Sequence, residues 1–169
     1  MNQKLRVAVL IAAGALLVSA CGFRPLLGAY PDSNVQARLS EVRVEAIPDR
    51  SGQLLRNRLL DALGSRGVSR YTLSVQLREP RQVLAVRRDD VISRTGYTAT
   101  ANFSLSEIGG KSIFAGTSSF TTDYEITNSE FATLASREDA RDRTLELVGN
   151  DIRAQLAVYF NNRAAGVTR

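Results

Sequence analysis

The sequence predicts an α+β domain, built as a single mixed sheet of about four strands in the order β-α-β-β-β-α with two helices packed on one face. Three observations carry this. Two long stretches, 71–77 and 97–105, alternate apolar and polar residues with the period of a half-buried strand. Near the C-terminus Leu145, Val148, Ile152, Leu156, Tyr159 and Phe160 step by three or four and form one apolar helical stripe. A further helical pattern lies between the first two strand patterns, which suits a crossover joining parallel neighbours.

The first strand is short: Val42, Val44 and Ala46 alternate with Arg43 and Glu45, and Pro48-Asp49 ends it. Asp49 or Ser51 is placed to cap a helix running to about Ser65, with Leu55, Leu59, Ala62 and Leu63 on its inner face. Gly64 and Gly67 stop that helix. In the second strand Tyr71, Leu73, Val75 and Leu77 alternate with Thr72, Ser74, Gln76 and Arg78, and the pattern resumes beyond Pro80 through Val83 and Ala85 or Val86, with a bulge or edge at the proline. The third runs from Ile92 to Ser106 and sets Tyr97, Ala99, Ala101, Phe103 and Leu105 on one face against a Thr-rich other face.

Gly109-Gly110 turns the chain into the fourth strand, Lys111 to about Tyr124, whose apolar phase shifts between Ile113 and Phe120. A bulge near Gly116 accounts for the shift. Asn128 or Ser129 opens a helical region, and Ser136-Arg137-Glu138-Asp139 resembles a capping box that restarts it as the long final helix. With both helices on one sheet face, the other face is left polar or given to a partner.

Ahead of this domain (39–169) the chain carries a leader. Lys4 and Arg6 precede an apolar run from Val7 to Val18, and Val18-Ser19-Ala20-Cys21 follows. That order reads as a secretory signal (1–20) ending in a lipobox, with Cys21 accepting a diacylglycerol. The run is too short to span a membrane comfortably. Two or three acyl chains would anchor the mature protein stably. Residues 21–38 read as a lipidated, extended N-terminal segment, rich in turn formers yet carrying Phe23, Leu26, Leu27 and Tyr30.

Composition removes most chemistries. The 169 residues include no histidine, and their one cysteine is the expected lipidation site. No disulfide, thiolate nucleophile or thiolate metal site is then available. No Gly-rich phosphate loop or closely spaced acid pair stands out, and the only lysine after the leader is Lys111, at a turn. The expectation is a protein with no catalytic residues, metal or cofactor. The chain is basic, with 22 Lys and Arg against 17 Asp and Glu. In a secreted compartment the polyanions to meet are lipid headgroups, lipopolysaccharide and glycans rather than nucleic acid, and arginine forks suit phosphate.

Two basic features are candidate ligand sites. Arg78, Arg81, Arg87, Arg88 and Arg94 crowd the hairpin between the second and third strands. They either bind phosphate or protect a sheet edge from pairing. Arg137 stands beside the free N–H groups expected at the long helix's start, as a ligand contact or an ordinary first-turn charge.

Cys21-Gly22-Phe23-Arg24-Pro25-Leu26, then Arg50-Ser51-Gly52-Gln53-Leu54-Leu55-Arg56-Asn57-Arg58-Leu59 on the first helix, and a closing helix after Tyr124, together resemble the LPS-assembly lipoprotein (LptE) family. The resemblance covers essentially all of the chain after the leader. It implies an α/β fold with helices on one sheet face and an outer-membrane lipoprotein on the periplasmic side. It further implies a plug in the lumen of the LPS-export β-barrel LptD, and lipopolysaccharide as ligand. In the family the hairpin tip and the approach to the last helix meet the ligand's phosphates, which points here to Arg94, with Arg87 and Arg88, and to Arg137. Gly22 rather than Asp after the cysteine fits outer-membrane sorting by the enteric rule. The alternative is a stand-alone lipid-binding or transport-auxiliary lipoprotein of the outer membrane.

Overall fold

The computed structural model describes residues 33–65, 67–79 and 93–166. Cys21, the strand expected to resume beyond Pro80, and Arg87 and Arg88 lie outside the described residues. The elements are α1 (Ser33–Ser40), β1 (Val42–Val44), α2 (Asp49–Leu63), β2 (Tyr71–Arg78), β3 (Ser93–Glu107), β4 (Ser112–Ile126) and α3 (Glu130–Ala164). They form one four-stranded sheet in the order β1-β2-β3-β4. β1 pairs parallel to β2 through the α2 crossover, and the other two pairings are antiparallel. The expected mixed α+β sheet is therefore present.

The alternating residues do what their spacing dictates. Leu73, Ala99, Ala101 and Leu105 are fully buried on the helix-covered face, as are Leu55, Leu59 and Leu63 from α2 and Leu145, Val148, Ile152, Leu156 and Phe160 from α3. Val42 and Val44 close this core along β1, whereas Ala46, expected beside them, is exposed. On the opposite face, which none of the described helices covers, hydroxyl and amide side chains pair across the strands: Thr98 with Thr121 (2.8 Å), Thr100 with Ser119 (2.8 Å) and Thr117 with Asn102 (2.8 Å). Such cross-strand pairs stabilise a sheet by a few tenths to about 1 kcal/mol each.

Four local expectations are corrected. Ser33–Ser40, of which the sequence assigns 33–38 to an extended segment, form α1. Its Leu39 is buried, and the helix packs on α3 and α2. Neither Asp49 nor Ser51 caps α2: the N-cap is Pro48 and makes no side-chain hydrogen bond. At the other end Gly64 does stop the helix in the left-handed region (φ 66°), its N–H bonding Leu60 O, while the Ser65 hydroxyl donates to Val42 O at 2.6 Å.

The bulge is not at Gly116. Leu105 pairs with Phe114 and Ser106 with Ser112, so Ile113 is the extra residue. Gly116 serves a close approach instead: a Cβ there would lie 2.6 Å from Gln155 Oε1 and from the Phe103 ring. Finally, α3 is one continuous helix from Glu130. Ser129 is its N-cap, accepting from Ala132 N–H at 3.3 Å, and Ser136 to Asp139 are interior residues. Glu138 reaches forward to Arg141, not back to the backbone.

Candidate functional site

At the end of the sheet where β3 begins and β4 finishes, the first turns of α3 lean over the strands and enclose a hollow of about 320 Å³. It is lined by Arg94 from β3, Asp123, Tyr124 and Glu125 from β4, and Ser136, Asp139 and Arg143 from α3. The three α3 residues are spaced three and four apart, which puts them on one helix face. Register brings Arg94 opposite Glu125, and their side chains pair at 3.6 Å. Arg143 pairs with Asp139 one turn back at 3.1 Å. All four side chains are half or more exposed, so the arginine forks remain open to a ligand from outside.

The far side of the same turns is closed. Arg141 is largely buried and holds Glu138 with both terminal nitrogens, with Asp142 3.7 Å from its Nε. Tyr97, at the edge of the core, has a buried hydroxyl that stands beside Glu79 and Ser51 but makes no well-formed hydrogen bond among the described residues. Burial, and next the Glu79 carboxylate, push its pKa well above the usual tyrosine value, against weaker opposing effects of Ser51 and Arg141. Tyr97 therefore stays protonated and neutral throughout the physiological range.

The candidate residues from the sequence separate here. Arg94 lies in the hollow. Arg137 is exposed in the third turn of α3 and is not among the lining residues. Because the helix starts at Glu130, the free N–H groups that motivated Arg137 lie elsewhere. Arg143, Asp139, Asp123 and Glu125 were missed. The i, i+4 spacing of Asp139 and Arg143 was the available signal, but nothing local tells that β4 and α3 meet there. No group of residues able to hold a metal ion is present among those described, and no described helix is long and apolar enough to cross a membrane.

The fold is that of a class of bacterial lipoproteins. A protein from Caulobacter crescentus CB15 classed as a lipoprotein superposes with a TM-score of 0.68 at 25% identity, over 78% of this chain and 98% of that one. A minor lipoprotein from Acinetobacter baumannii shares the fold with a TM-score of 0.54 at 18% identity, over 70% and 92% of the two chains. No protein with a curated description matches by sequence. The model of the lipopolysaccharide-assembly LptE family matches residues 39–163, and the chain belongs to that family.

Proposed function

We propose that this protein is an outer-membrane lipoprotein, anchored on the periplasmic side through acylated Cys21 once residues 1–20 are removed. In this reading it binds lipopolysaccharide by its phosphates and works as the plug and assembly partner of the LPS-export β-barrel. Membership of a lipopolysaccharide-assembly family supports the setting. The single observation that carries the ligand reading is the hollow at Arg94, lined by two guanidinium groups, Arg94 and Arg143, that are both more than half exposed. Guanidinium forks match phosphate oxygens bidentately, which suits them to the phosphates of a lipid headgroup.

The rest of the domain suits a polar enclosure. A barrel lumen is water-filled and lined by polar groups. The open face of β2 to β4 offers Thr72, Ser74, Gln76, Thr100, Asn102, Ser119 and Thr121 to such surroundings. The interior between sheet and helices is occupied by buried apolar side chains. Two experiments test the proposal. Detergent extracts of cells making the tagged protein are expected to yield a large β-barrel with it; repeated failure to recover one contradicts the assembly role. Arg94→Asp combined with neutralised Arg87 and Arg88 is expected to weaken lipopolysaccharide binding in a salt-sensitive way with the fold intact, and unchanged binding contradicts the ligand role.

A further inference from the structure

The two edges of the sheet are unlike. β1, at one edge, is three residues long, whereas β4, at the other, runs for fifteen residues and has no described strand beyond it. The free N–H and C=O groups of a long edge pair with any extended chain, so such edges are usually guarded by lysine, proline or an inward-pointing charge. Residues 112–126 hold no lysine, arginine or proline, and their only charges, Asp123 and Glu125, are exposed near the end of the strand. β4 is unguarded.

The apolar layer along this edge is also incomplete. Ala99, Ala101, Phe103 and Leu105 of β3 are buried beneath the helices, but Phe114, Phe120 and Ile126, on the same face of β4, are only partly buried. Leu147 of α3 is exposed and lies almost opposite Gly149 around the helix. Gly149 faces Leu55 and Arg58 of α2, which turns Leu147 to the β4 flank. An apolar strip thus borders the open edge.

We propose that β4 pairs antiparallel with β4 of a second copy of this chain, joining two four-stranded sheets into one about a two-fold axis at Ser118. Three observations select that occupant and that register. Ser118 is buried and its hydroxyl makes no hydrogen bond among the described residues; on the axis it stands opposite its own copy, where the two hydroxyls bond as other hydroxyl pairs of this sheet do. Phe120 falls opposite Gly116 of the second copy, so a half-buried ring covers a position without a side chain. The antiparallel order brings the Lys111 end of each strand to the Asp123 and Glu125 end of the other, which matches charge. Both sets of helices stay on one face, and α3 of the second copy flanks Leu147 and the partly buried rings. The interface is isologous, so every contact occurs twice. The inference goes beyond the assembly reading and does not rest on the phosphate hollow; it describes the protein away from a barrel.

The test measures the mass of the full-length protein in density-matched detergent by analytical ultracentrifugation over a wide range of concentration. A monomer–dimer equilibrium is expected, and a monomer at every concentration overturns the proposal. Ala115 and Thr121 are exposed on the open face and stand opposite one another across the proposed pair, though far apart along one strand. Ala115→Lys with Thr121→Lys sets like charges opposite each other at two places and is expected to weaken dimerisation about tenfold or more, whereas Ala115→Glu with Thr121→Lys sets opposite charges there and is expected to retain it. Equal loss in the two double variants overturns the register and the proposal with it. Leu147→Glu is expected to weaken dimerisation as well, while Leu134→Glu, a like change at an exposed position of the same helix beyond the interface, is expected to leave it unchanged. Each variant is compared at a native circular dichroism spectrum. A dimer that neither the paired lysines nor Leu147→Glu weakens uses another surface and overturns the proposal.

Discussion

The two ends of the sheet carry the same kind of ion pair and use it differently. At one end Arg163 of α3 meets Glu107 of β3 at 3.2 Å, beside a second hollow lined by Ser69, Arg70, Tyr71, Glu107 and Ile108. There the guanidinium also donates to the Tyr159 hydroxyl at 2.8 Å, a bond that holds it in its charged form. Tyr159 in turn stacks on Phe114 and meets Phe160 edge-on, and Phe160 packs on Tyr71. Arg163 is thus fastened to an aromatic cluster that joins helix to sheet. At the other end Arg94 and Glu125 have no such support among the described residues, and a second exposed pair, Arg143 with Asp139, lines the same hollow. An ion pair tied to the core is a structural joint, whereas an exposed pair standing in a hollow contributes little to stability and leaves its guanidinium accessible.

Substitutions that strike the two ends differently can break or sharpen this contrast. The largest effect is expected from Phe160→Ala, which empties a fully buried ring position in the aromatic end and should cost about 3–5 kcal/mol in denaturant unfolding. A loss below 1 kcal/mol would mean that end is not the joint described. Next comes Gly116→Ala, midway along β4. The added methyl must push aside Gln155 or the buried Phe103 ring, and a cost of about 1–3 kcal/mol is expected from the same measurement.

The hollow end should be more forgiving. Ser129→Ala removes the cap of α3 and should cost about 1 kcal/mol, seen as faster amide exchange confined to the first turns. Tyr97→Phe removes a buried hydroxyl that makes no well-formed hydrogen bond among the described residues and should leave stability at neutral pH within about 1 kcal/mol of the wild type. The change belongs to alkaline solution. Because the folded chain holds the Tyr97 proton more tightly than the unfolded one, this contribution is whole below the ordinary tyrosine value of 10.0 and declines as the pH rises above it. Wild-type protein should therefore lose stability between pH 10 and 12 more steeply than Tyr97→Phe, and parallel curves would remove Tyr97 as the cause.

What the sequence revealed follows the same division. Period-two alternation around Leu73 and Phe103 and the stripe through Ile152 are statements about burial, and burial against one continuous face is what local pattern encodes. The opening of α3 at Ser129 is legible in the sequence, but the continuity of the helix is not, because its first turns overhang the core. Phe131 and Leu134 are exposed there, so the stripe fades and the capping-like stretch further on reads as a restart. α1 is short and mostly polar, with Leu39 its one fully buried side chain, too little for a periodic signal. The bulge lies at Ile113 rather than Gly116 because the glycine answers to Gln155 on α3, a partner 39 positions away in the chain. Arg94 stands out from its basic neighbours only through the family resemblance, and Arg143, Asp139 and Glu125 do not stand out at all: their common hollow exists only once β4 and α3 are in place.

The central claim is that the arginine at the open end of the sheet, and not its counterpart at the aromatic end, meets the phosphates of lipopolysaccharide. Arg94→Glu and Arg163→Glu make the same change of charge in the same kind of pair. Lipopolysaccharide binding by the two full-length variants, each checked for a native circular dichroism spectrum, compares them directly. The account predicts a loss of about tenfold or more for Arg94→Glu and little change for Arg163→Glu. Equal losses, or a loss confined to Arg163→Glu, would contradict it.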